Sequence, residues 1–113
     1  MRFSEDSLQK IKNIVAGFKN YPAYKIYDIA SFCYDLKAGI QALRITKNGM
    51  LVNLWLFFPG INGEITSIAV YGNNLSGHLN AILSSMTVFG LPVESAEIES
   101  GAEDYIDIYL KEY

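Results

Sequence analysis

The sequence predicts an α+β fold in one domain over residues 1–113: an antiparallel sheet of five to six strands, an N-terminal helix and a second helix before a C-terminal hairpin. Three observations predict it. Leu8, Ile11, Ile14, Val15 and Phe18 recur at helical spacing, which gives one apolar stripe on an α-helix. Residues 40–46 and 50–58 are strand-like segments joined by Lys47-Asn48-Gly49, and Asn-Gly between such segments is a strong hairpin signal. Residues 104–111 alternate strictly, with Ile106, Ile108 and Leu110 between Tyr105, Asp107, Tyr109 and Lys111, the period of a strand with one buried face.

Taken in chain order, Ser4 is the expected cap of the first helix. Glu5 and Asp6 follow in its first turn and Lys19 stands in its last, as the helix dipole favours. Tyr21-Pro22 should end it. Residues 24–34 are ambiguous: Tyr24, Ile26, Asp28, Ala30 and Phe32 alternate, while Ile26, Ile29, Ala30 and Cys33 form a helical stripe. A strand through Ile29 is the reading adopted. In the 50–58 strand, Met50, Val52, Leu54, Leu56 and Phe58 lie on one face and Leu51, Asn53, Trp55 and Phe57 on the other. A strand apolar on both sides belongs at the centre of a sheet, covered at least in part on each face. A turn at 59–63 leads to a strand over 64–71, with Ile65, Ala69 and Tyr71 opposite Ile68 and Val70. After a break at 72–77, residues 78–88 read as the second helix, with Leu79, Ile82, Leu83 and Met86 inward and Asn74 or Ser76 as cap. Its remaining face, Asn80, Ser84, Ser85 and Thr87, has no charge. Both helices are expected on one sheet face, and residues 93–99 should pair with 104–111.

A chain of 113 residues, 50% of them hydrophobic, is long enough for one core and too short for two ordinary domains. Mean hydropathy is positive, yet the longest apolar run, Leu54 to Phe58, is five residues, far short of the roughly 20 that span hydrocarbon. Membrane insertion is therefore not expected. Met1-Arg2-Phe3 runs straight into Ser4-Glu5-Asp6, unlike a secretory leader, and the single Cys33 cannot form an internal disulfide. Together these point to the cytoplasm. Cys33, between Phe32 and Tyr34, reads as a buried or half-buried small hydrophobe.

Charge is distributed unevenly. Through Lys47 the chain carries eight Lys/Arg and four Asp/Glu, a net +4; from Gly49 onward it carries one and eight, a net −7. The basic part, Lys10, Lys12, Lys19, Lys25, Lys37, Arg44 and Lys47, is scattered, and the pI near 5.0 argues against nucleic acid. The acidic part is concentrated. Glu97, Glu99, Asp104, Tyr105, Asp107 and Tyr109 fall on the C-terminal hairpin, where carboxylates can pair with Lys/Arg of a partner and tyrosines can act as rigid anchors. The competing explanation is that tyrosines shield the sheet face and acids keep an edge from aggregating.

Catalytic patterns are missing. There is no HExxH, CxxC, GxSxG or GxxxxGK[ST], and the one histidine, His78, has no neighbouring carboxylate or strong nucleophile in sequence. Glu94, Glu97, Glu99, Glu103, Asp104 and Asp107 show no EF-hand spacing, so neither metal nor cofactor is expected. The glycines at 60–63 and 72 are accounted for by turns. The first functional expectation is accordingly a non-enzymatic protein that binds and inhibits a basic protein partner, as an immunity protein, antitoxin or anti-defence inhibitor does. A second is a small-molecule pocket between sheet and second helix, lined by Trp55, Phe57, Tyr71 and His78. A third is a structural homodimer through strand 104–111 or the uncharged helix.

Overall fold

The computed structural model describes residues 2–20, 22, 25–72, 75–99 and 105–111, with all their side chains except those of 76–78 and 81. It contains α1 (Glu5–Asn20), β1 (Asp28–Asp35), β2 (Ile40–Lys47), β3 (Met50–Pro59), β4 (Ile65–Gly72), α2 (Leu75–Val88), β5 (Val93–Glu99) and β6 (Tyr105–Leu110). The strands form one sheet in the order β1-β2-β3-β4-β6-β5, and every neighbouring pair is antiparallel. This is an α+β fold with β3 and β4 at its centre.

Local chemistry sets the ends of these elements. The Ser4 hydroxyl accepts the Ser7 N–H at 3.2 Å, and the Ser4 carbonyl accepts the Leu8 N–H at 3.0 Å, so Ser4 is the cap of α1. The buried stripe of α1 is Ser7, Ile11, Ile14 and Phe18. Leu8, expected on that stripe, is 36% exposed; the i, i+4, i+7 rows that meet the sheet pass through Ser7, whose hydroxyl is bonded to that of Ser4 at 3.1 Å. Between β2 and β3, Asn48 and Gly49 have φ of 53° and 79°, and Lys47 pairs with Met50, the arrangement of a type I′ turn. The end of α2 is a Schellman motif: Gly90, at φ 71°, donates to the Thr87 carbonyl at 3.1 Å, and Leu91 donates to that of Met86 at 2.9 Å. Met86 and Leu91 are both buried.

Four expectations are corrected. The first strand is Asp28–Asp35 rather than one ending at Ile29; pairing of Ile29 with Ile45 and Ser31 with Leu43 decides between two local patterns of similar strength. The second helix starts at Leu75, because Leu75 is itself a buried anchor at 3% exposure. Ser76 therefore lies within it rather than capping it, and Asn74 lies outside the described residues. Bulges shift two faces: Val52, between the pairs Ile45–Asn53 and Thr46–Leu51, and Ile65, beyond the irregularity at Phe58/Pro59, both pack on the helix-side core. Cys33 is exposed, since β1 is an edge strand in which only Ile29 is buried.

The main core lies between the helices and one sheet face. Ile11, Ile14 and Phe18 of α1 and Leu75, Ile82 and Met86 of α2 meet Leu43, Ile45, Trp55, Phe57, Ile68, Val70, Ile106 and Ile108. Phe18 sits edge-on to Trp55, with ring centroids 5.1 Å apart at 84°, and packs on Phe89 at 5.0 Å. No helix among the described residues is long and apolar enough to cross a membrane.

Gly63 ties the β3–β4 turn to the N-terminal segment. It has φ 80°, its carbonyl accepts the Ser4 N–H at 2.9 Å, and a Cβ there would lie 2.5 Å from that nitrogen. Gly49 has a similar φ of 79°, but a Cβ added to it would meet no atom within 4 Å. Both alanine substitutions should incur the left-handed penalty of roughly 1–2 kcal/mol, and Gly63→Ala should cost clearly more because the backbone contact must also open. Urea unfolding of the two variants measures the difference; equal losses would show that the approach of Ser4 to Gly63 contributes nothing.

Candidate protein-interaction face

The second sheet face is also apolar. Ala42, Leu56 and Ala69 are buried in a separate cluster, with Ile40, Leu54, Phe58 and Tyr71 packed partly against it. Among the described residues no helical side chain belongs to this cluster. The signal for it was in β3, whose two sides are both apolar; Leu54, Leu56 and Phe58 were nonetheless not among the candidate residues, because sequence alone does not say which face the helices take.

Strand register extends this cluster into the acidic hairpin. Ala69 pairs with Asp107, which pairs with Glu97; Tyr71 pairs with Tyr105, which pairs with Glu99; Ser67 pairs with Tyr109, which pairs with Ser95. Opposed residues in antiparallel strands project from the same side. Leu56 is opposite Ala69 and Leu54 opposite Tyr71, so aliphatic, aromatic and acidic side chains follow one another across β3, β4, β6 and β5. Tyr71 and Tyr105 stack with centroids 5.0 Å apart and planes at 28°. Tyr109 is 44% exposed, and Ile106, Ile108 and Leu110 turn inward to the main core. At the far side of the face, the Arg44 guanidinium lies 5.8 Å from the centroid of the exposed Phe32 ring.

Five of the six hairpin candidates, Glu97, Glu99, Tyr105, Asp107 and Tyr109, are thus brought together; Asp104 lies outside the described residues. The second candidate set is divided. Trp55 and Phe57 are fully buried against the helices, whereas Tyr71 belongs to the opposite face. His78 is in the first turn of α2, and its side chain is outside the described residues. The Trp55 indole N–H is buried without an acceptor among the described residues. A groove of about 660 Å³ opens elsewhere, between Lys10 of α1, the turn around Asn62, and Lys111, and it contains none of the candidate residues.

Two hairpin groups, Asp107 and Tyr105, are raised by burial and by neighbouring acids. Partial burial and then the neighbouring Glu97 carboxylate raise the Asp107 carboxyl above its ordinary value. Burial, followed by Glu99 and Asp107, also raises the Tyr105 hydroxyl. Among the described residues no Lys or Arg forms an ion pair with Glu97, Glu99 or Asp107. The face can therefore receive cations beside an apolar surface.

Comparison with known proteins adds no relative: no family model, curated protein or solved structure matches the chain.

Asp107 yields a stability prediction of definite sign. Its folded-state pKa is raised above the ordinary 3.8, so its favourable contribution is fully present below that pH and is lost as pH rises through the folded value. Asp107→Asn removes the repulsion with Glu97 and should stabilise the protein at pH 7 by about 0.2–1 kcal/mol, with the gain disappearing near pH 3. Thermal unfolding across this range tests it. Destabilisation at pH 7 would mean that the carboxylate serves the fold.

Proposed function

We propose that this chain is a non-enzymatic interaction protein that binds and inhibits a basic protein partner through the acidic, tyrosine-bearing hairpin β5–β6, in the manner of an immunity protein, antitoxin or anti-defence inhibitor. The observation that carries the reading is the register that sets Glu97, Glu99, Tyr105, Asp107 and Tyr109 on one sheet face continuous with Leu54 and Leu56. Charge at the rim speeds and orients encounter with a basic surface. Apolar and aromatic groups at its centre supply the anchors that hold the complex. Inhibition of such a partner requires only that its basic surface be occupied.

The arrangement also supports a division between stability and function. Two carboxylates opposite one another, Glu97 and Asp107, repel in the free protein, and a Lys or Arg from a partner relieves that repulsion. Sites under functional constraint commonly keep such unfavourable arrangements.

Affinity capture from the native lysate by the tagged protein, compared with a variant carrying Tyr105→Ala, Asp107→Ala and Tyr109→Ala, tests the proposal. A basic partner should be captured by the parent chain and lost from the variant. Asp107→Ala or Tyr109→Ala singly should weaken binding by about 1 kcal/mol or more while leaving the protein folded. A partner retained with full affinity by the triple variant would place the binding surface elsewhere.

A further inference from the structure

We infer that the segment received by this face is an amphipathic α-helix of the partner, about ten residues long, with an apolar stripe over β2–β4 and Lys or Arg along the flank above β6–β5. The inference rests on the proposed function and specifies the partner's chemistry. Three features of the face support it.

The first is width. β2, β3 and β4 are consecutive in the sheet, so the strip of half-buried Ile40, Leu54, Phe58 and Tyr71, which surrounds the buried Ala42, Leu56 and Ala69, spans two strand spacings, about 10 Å. That is the diameter of one α-helix with its side chains, about 10–12 Å. The strand backbones here are paired on both sides, so this face offers side chains rather than free peptide groups, and addition of a strand to it has no hydrogen bonds to make. The opposite face of the same sheet is already covered by two helices.

The second is length. From Leu54 to Phe58 the strip runs four residues along β3, about 14 Å. A helix covers that distance in roughly nine residues.

The third is charge complementarity. Glu97 with its opposite Asp107, and Glu99 two residues along β5, form successive acidic rows on one flank, separated by about 7 Å. Cations at i and i+4 on a helix are separated axially by about 6 Å, so two basic side chains on one helical flank match these rows while the stripe beside them lies on the half-buried Leu54, Phe58 and Tyr71. Across the strip, among the described residues, the flank near Arg44 carries Asp28, opposite Thr46, rather than an acidic pair, which fixes which side of the helix carries its charge.

The test titrates the full chain with three fluorescent 14-residue peptides and follows both polarisation and amide NMR shifts. One has Leu at i, i+3, i+4 and i+7 with Lys elsewhere, the second is its scramble without an apolar stripe, and the third has Glu in place of Lys. The amphipathic Lys peptide should bind at least tenfold more tightly than either of the others, with shifts centred on β3, β4 and β6. Leu54→Lys should reduce its affinity about tenfold. In a Glu97→Lys/Glu99→Lys variant the preference should reverse toward the Glu peptide, a result that mere loss of fold would not produce. Equal binding of amphipathic and scrambled Lys peptides at this face would overturn the helix while leaving a basic partner in place. Failure of both Lys peptides to bind the folded parent chain, or shifts confined to another face, would overturn the helix and the proposed surface together.

Discussion

β3 is apolar on both sides, and that constraint orders the rest of the molecule. Trp55 and Phe57 face the two helices and are fully buried, while Leu54, Leu56 and Phe58 face away from them into a smaller cluster with Ala42, Ala69 and Tyr71. Covering both apolar faces of such a sheet with further elements takes a third layer. Within the described residues α1 and α2 provide one layer. On the other face, Leu56 is 7% exposed within a cluster whose described members all belong to the sheet, while Tyr109 and Phe32 are well exposed.

The acidic hairpin acquires its meaning from this second face. Carboxylates on an isolated edge hairpin are ordinary, because charge at a sheet edge discourages aggregation. Here strand order β4-β6-β5 places the hairpin beside the apolar strip rather than apart from it, and Asp107, opposite Glu97, is partly buried with its carboxyl raised above the ordinary value. An aggregation guard would function as well with its charges fully in water. Acids beside the exposed Tyr109 and the half-buried Leu54, Phe58 and Tyr71 give the mixed chemistry that the proposed contact face requires.

Much of this was legible in the residues. The α1 stripe through Ile11, Ile14 and Phe18, the Asn48-Gly49 turn and the inward row Ile106, Ile108 and Leu110 are local patterns with a local cause and appear as read, whereas Leu8 yields its place on the stripe to Ser7. The errors have tertiary causes. β1 is a strand because β2 pairs with it, and its own pattern fits a helix almost as well; Cys33 is exposed because β1 is at the edge. Val52 and Ile65 changed faces at bulges, which alternation cannot reveal. The hairpin candidates could be listed from composition and period, but the grouping of Tyr71 with Tyr105 rather than with Trp55 depends on the register of β3, β4 and β6, which sets Tyr71 opposite Leu54 and Tyr105.

The most direct test of the central claim is an NMR titration of the Asp107 carboxyl in the free protein and in complex with the basic partner. Relief of the Glu97–Asp107 repulsion by a partner cation requires the Asp107 pKa, raised in the free protein, to fall on binding, with affinity strengthening as pH rises through the free-protein value. An unchanged or still higher pKa in the complex would contradict the account, since the acids would then lie outside the contact or be buried in it without a cation.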